Sequence, residues 1–145
     1  MPCRPGPPSA KAGLALLLPL ALALAVVGCG SSADSRPQKW SFISAAIIQP
    51  SCATANCHSQ LAQRSGVALD TAYDGYDQLV NRHFVKPNDS EGSALIGLLR
   101  GQGSRRMPPD FPLPDADIAL IAGWIDAGAM WDLSSAGPPS PGNTP

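Results

Sequence analysis

Cys52-Ala53-Thr54-Ala55-Asn56-Cys57-His58 places two thiols and an imidazole within one short stretch. On an ideal helix five residues turn through about 500°, so the two thiols would point roughly 140° apart. For both to meet one ligand, the residues between them must leave the helix and bulge. The surrounding composition sets the frame for that ligand. The chain has 145 residues, with 10 Lys+Arg against 11 Asp+Glu and a formal charge of −1. No clustered basic surplus exists for nucleic acid to bind. At 44% hydrophobic and 14% charged, the composition is that of a globular chain. The length suits one domain and rules out a large enzyme with separate substrate and cofactor domains.

The usual signature for covalent haem is C-x-x-C-H, in which two thiols form thioethers with the porphyrin and the following His binds the iron. Tethering through Cys57 would hold the imidazole of His58 beneath the metal at high effective concentration. Here the first Cys lies two residues further back, and Thr54 stands where the usual motif has Cys. Three other readings of the same residues stay open, the plainest being free buried thiols with no role, although a periplasmic thiol pair tends to oxidise. In an exported protein, Cys52 and Cys57 could close a disulfide. Zinc could use Cys52, Cys57, His58 and His83, although adjacent Cys57 and His58 on one tetrahedral ion would be strained. A haem read in this way wants a second axial ligand from further along the chain. Met107, in Arg105-Arg106-Met107-Pro108-Pro109, is the first candidate, because the prolines that follow it stiffen the loop. His83 is the second candidate, in what reads as an exposed loop. Arg105 and Arg106 are candidates to pair with haem propionates, and Met130 reads as a packing residue.

The two ends of the chain read differently from its centre. Residues 1–28 carry Arg4 and Lys11 with no acid, then 14 apolar residues from Leu14 to Val27. That run is short for a spanning helix, which wants about 20 apolar residues, and it reads as an export signal. Val26-Val27-Gly28-Cys29 resembles a bacterial lipobox, which implies cleavage before Cys29 and acylation of its new terminus. Acyl chains there would anchor the protein at a membrane without spanning it. Residues 29–39 then form a polar linker, and residues 134–145 a Pro-rich tail expected to be disordered. Beyond residue 28 there remain 8 basic and 11 acidic side chains, a net −3. All the aromatic residues lie between Trp40 and Trp131, so residues 40–133 must hold the core.

Within that span the apolar spacing predicts helices and no alternating strand. The first helix covers Trp40 to Ile48, with Ile43, Ala46 and Ile47 on one face and Pro50 ending it. Asp70-Thr71 caps a second helix, striped by Tyr73, Tyr76, Leu79 and Val80. Ser90 is the N-cap candidate for a third helix from Glu91 to Arg100, stopped by Gly101. The fourth runs from Pro114 to about Ala127, burying Ile118, Ile121, Ala122 and Ile125.

CATANCH, SGVALDTAYDGYDQLVN, VKPNDSEGSALIGLLRG, RRMPPDFPL and IALIAGWIDAGAMW together resemble the monohaem cytochrome c-like domains of exported bacterial proteins, including those with a C-x4-C-H motif. The resemblance covers about Phe42 to Trp131. It implies an all-α, cytochrome c-like fold of about four short helices around one covalent haem c. Cys52 and Cys57 would be the attachment points, with His58 and Met107 as the axial pair. The first and last helices would cross, with Trp124 near the crossing. The expected role is electron transfer to and from unidentified redox partner proteins. The protein would not be an enzyme, and its lipid anchor would hold it at the periplasmic face of a bacterial membrane or at the cell surface. Two alternatives accompany that expectation. One is a haem-based sensor or peroxidase-like protein with an open or labile sixth position. The other is a haem-free envelope lipoprotein with a Cys52–Cys57 disulfide.

Overall fold

A computed structural model describes residues 34–103 and 105–134. The leader, Cys29 and the tail from residue 135 onward lie outside the described residues. Every regular element among the described residues is helical, so the chain is all-α there, as its spacing predicts. None of these helices is long and apolar enough to cross a membrane.

The first helical stretch is longer than Pro50 led the sequence to suggest. Helix α1 (Trp40–Ile43) passes through a π-helical turn (Ser44–Ile48) directly into α2 (Gln49–Cys52). In an α-helix the proline ring would clash with the carbonyl four residues back. Here the turn before it is wider, with the Gln49 N–H donating to the Ser44 carbonyl five residues back. The helix therefore carries Pro50 in its continuation and ends at Cys52. The same wide turn shifts the buried face: Ile43, Ile47 and Ile48 are buried, whereas Ala46 is exposed.

Helix α3 (Ala72–Tyr76) and a second π-helical turn (Asp77–Asn81) form the expected second element. Thr71 caps it, its hydroxyl oxygen accepting from the Asp74 N–H at 3.0 Å. Helix α4 (Ala94–Arg100) starts later than expected, after Ser93. Ser90 caps nothing there, because its N–H and hydroxyl both donate to Asp126 at 2.9 Å, pinning the loop to the last helix. Gly101 ends α4 at φ +70, the left-handed stop that glycine adopts without strain. Helix α5 (Asp115–Asp126) follows the predicted stripe, with Ile118, Ile121, Ala122 and Ile125 buried.

The core is centred where the first and last of these helices meet. Trp40 and Trp124, both buried, stack with ring centroids 5.0 Å apart. Tyr76 meets both edge-on at 5.8 and 6.3 Å, and Trp131 closes the cluster at 5.2 Å from Tyr76. The polar handles of these rings are satisfied. Trp40 Nε1 donates to the Ala72 carbonyl at 2.8 Å and the Tyr76 hydroxyl to the Ala129 carbonyl at 2.9 Å. Trp124 Nε1 donates to the Met130 carbonyl at 3.1 Å. That backbone contact is Met130's contribution to the core. Its side chain is 67% exposed, contrary to the packing role expected for it, because the backbone after Ala129 (φ +51) turns it outward.

The folded unit also begins before Trp40. Arg36, in the segment read as linker, forms ion pairs with Asp34 and with Asp117 in the first turn of α5. Gln38 lies against Gly123, where a Cβ would fall 2.5 Å from its amide nitrogen. The last part of the linker is thus laid along α5 and is not free.

Candidate functional site

The end of α2 at Cys52 resolves the five-residue spacing. Ala53 leaves the helix (φ −84, ψ 30), and a turn closed by the Cys57 N–H donating to the Thr54 carbonyl at 2.9 Å carries the chain outward. The His58 N–H then returns to the Cys52 carbonyl at 3.0 Å. The intervening residues bulge as the helical arithmetic requires, and Cys57 is no longer bound by the 140° offset.

A second loop braces the motif from outside. The Arg64 N–H donates to the Cys57 carbonyl at 3.0 Å and the Leu69 N–H to the His58 carbonyl at 2.7 Å. The loop between them is tight enough to hold Gln63 and Ser65 at φ +41 and +57. Opposite it, Met107 is fixed through its backbone. The Gly97 carbonyl accepts from Gln102 at 2.9 Å, and the Leu98 carbonyl from both Gly101 at 3.2 Å and Met107 at 2.9 Å. The end of α4 therefore sets the start of the Met107 loop, and Pro108 and Pro109 continue it.

These two loops and α2 enclose a cavity of about 160 Å³ lined by Cys52, Cys57, His58, Met107, Arg64 and the two prolines, with Ser51 and Ser65. The four residues singled out from the sequence, 49 positions apart between His58 and Met107, thus share one cavity. His83 does not line it; it sits exposed at φ +62 after the second helical stretch. Among the described residues no three His, Cys, Asp or Glu side chains converge as a metal group, so the four-ligand zinc set is not assembled. Cys29 lies outside the described residues.

The buried Nδ1 of His58 has no hydrogen-bond partner among the described residues. Whichever tautomer the ring adopts, a buried donor or acceptor is left unsatisfied, which costs about 1–3 kcal/mol. Cys52 and Cys57 are both free thiols. Burial, helped by the neighbouring Cys57, pushes the Cys52 thiol up to about 11, so it stays protonated and a poor nucleophile at neutral pH.

Two thiols, an imidazole and a thioether around an apolar hollow fit a covalently bound haem. The cavity by itself is smaller than the ~300 Å³ at which ligand pockets begin. It is continued on one side by a hollow of about 470 Å³ that shares Arg64, Met107 and Pro109. On the other side lies a hollow of about 420 Å³ that shares Ser51, Cys57, Pro108 and Pro109. The three together form a cleft around the Met107–Pro109 loop.

Arg64 is the lining residue that sequence reading missed. It lies six positions after His58 in a polar stretch, and the left-handed turns at Gln63 and Ser65 that bring it back have no glycine to announce them. Gly66 alone hinted at a reversal there.

Comparison with known proteins adds nothing to this picture: no family model, curated protein or solved structure matches the chain.

Proposed function

We propose that this chain is a membrane-tethered c-type cytochrome with a cytochrome c-like fold, carrying electrons through one covalent haem. The observation that carries the reading is the meeting of Cys52, Cys57, His58 and Met107 in one cavity, with the buried His58 Nδ1 unpartnered. Bound there, haem supplies a reversible one-electron couple at its iron.

The chain's own residues would do the following. Cys52 and Cys57 hold the group from two sides of the bulge and prevent its loss. The backbone of His58 is fixed by bonds on both its N–H and its carbonyl, which limits the positions from which its ring can reach the group. Met107 offers a thioether, which favours the reduced metal relative to a second imidazole. With His58 and Met107 both holding the metal, no position would remain open to a substrate, which would suit a carrier rather than an enzyme. Pro108 and Pro109, which line the cavity beside Met107, would help to keep water from the group. An anchor at Cys29 would hold the exported domain at a bacterial membrane, within reach of a redox partner protein.

The test is to produce the chain with a haem c maturation system and ask whether haem survives denaturation and acid extraction. Attached haem with a sulfur-to-iron charge-transfer band that Met107→Ala abolishes is the expected result. Attached haem without that band would point to an open or labile sixth position and a sensor or peroxidase-like role. No attached haem, with Cys52 and Cys57 recovered as a disulfide, would end the cytochrome reading.

A further inference from the structure

The arginines of the described chain fall into two groups. Arg36 pairs with Asp34 and Asp117, Arg100 pairs with Glu91, and Arg82 donates to the Gly66 carbonyl and Gln78. The side chains of Arg64, Arg105 and Arg106 make no hydrogen bond or ion pair with any described residue. These three line the same hollow of about 470 Å³. The chain beyond residue 28 holds 11 acidic side chains against 8 basic ones, so carboxylates are not scarce. None of those described is within pairing distance of this hollow's arginines.

The hollow is also built into the site. Arg64 lines both it and the inner cavity with Cys52, Cys57 and His58. Arg106 is seated on Gly101, where an added Cβ would fall 3.1 Å from its Cδ. Its stem therefore rests on the glycine that ends α4. Unpaired guanidinium groups gathered at the mouth of an apolar cavity match a ligand with an apolar body and an anionic edge.

Resting on the cytochrome reading, we propose that Arg64 and Arg106 anchor the paired carboxylates of the porphyrin at this mouth, with Arg105 completing the positive rim. The anchor would fix which edge of the porphyrin faces the hollow, leaving the thioethers to fix the other. It involves no covalent step, only charge-assisted hydrogen bonds from guanidinium N–H groups to carboxylate oxygens.

The experiment separates this assignment from the reading beneath it. The full chain carrying Cys52→Ala and Cys57→Ala, which cannot form thioethers, is titrated with ferric haem and with its dimethyl ester. The two porphyrins differ in whether their carboxylates are charged. Ferric haem is expected to bind about tenfold more tightly than the ester, roughly the strength of one charge-assisted hydrogen bond. Arg64→Gln with Arg106→Gln should erase that difference by weakening ferric haem alone, and Arg64→Lys should retain part of it. Arg82→Gln, outside the hollow, should change neither affinity. Equal binding of the two porphyrins, or a loss shared by both in the double arginine variant, overturns the carboxylate anchor and leaves the porphyrin site standing. Failure of both porphyrins to bind overturns the anchor and the porphyrin site together.

Discussion

The aromatic half of the molecule and the Cys–His–Met half are built to different standards. Around Trp40, Trp124 and Tyr76, rings stack, side chains are buried, and each polar handle finds a carbonyl. Around His58 the chain runs in loops with left-handed residues, and a buried nitrogen and three arginine side chains find no partner among the described residues. Backbone rules are broken in both halves, at Ala129 (φ +51) as at Gln63 and Ser65, but among the described residues only His58 leaves a buried side-chain polar atom without a partner, and such breaks collect where a protein binds something. The first half is finished by the chain's own side chains; on the cytochrome reading, the second would be completed by the haem. Variants that load one half or the other test that division.

The largest effect is expected at Trp124. Trp124→Ala removes the stacked partner of Trp40 and leaves a cavity where the first and last helices meet, a loss of about 3–5 kcal/mol. Chemical denaturation of the haem-free chain would show it as a large fall in midpoint, or as failure to fold. A loss below about 1 kcal/mol would mean that the aromatic half does not hold the fold together.

Gly75 tests the same half from the other side. A Cβ at Gly75 would lie 3.1 Å from the ring of Trp40, which is itself locked by Trp124 and by its bond to Ala72. Gly75→Ala should cost about 1–3 kcal/mol through overpacking, partly offset by the better helix propensity of alanine. The same swap at Gly101 crosses the division. There the residue sits at φ +70, and its Cβ would press on Arg106. Gly101→Ala is expected to cost about 1 kcal/mol of stability. In haem-matured protein it should also weaken the sulfur-to-iron band, because Gly101 and Met107 both donate to the Leu98 carbonyl. Stability lost with the band intact would confine Gly101 to a structural role.

How far each half could be read from the residues follows the same line. Helix α5 was legible because Pro114, Asp115 and Asp117 mark its start and its apolar stripe is regular. Thr71 and Gly101 announced their caps by residue type. Pro50 misled, because the wide turn that carries it depends on hydrogen bonds no pattern encodes. Ser90 misled because Asp126, 36 residues away, claims its donors. In the site, Cys52, Cys57, His58 and Met107 were legible as chemistry. Their convergence, and the arrival of Arg64 among them, depended on loops whose turns are made without glycine at Gln63 and Ser65.

The smallest effect is the most informative about the division. His58→Leu in the haem-free chain replaces a half-buried ring, whose Nδ1 has no partner, by an apolar side chain of similar size. Losing an imidazole from a completed core should destabilise; losing it here removes an unpaid desolvation cost of about 1–3 kcal/mol against some loss of fit. The variant should therefore match the parent within about 0.5 kcal/mol or exceed it, by urea denaturation at neutral pH. On the cytochrome reading, the same substitution in haem-matured protein should change the spectrum outright, because it removes the imidazole proposed to bind the iron. A haem-free His58→Leu variant that lost about 2 kcal/mol would mean that the imidazole already serves the fold, and that the second half is finished without a partner.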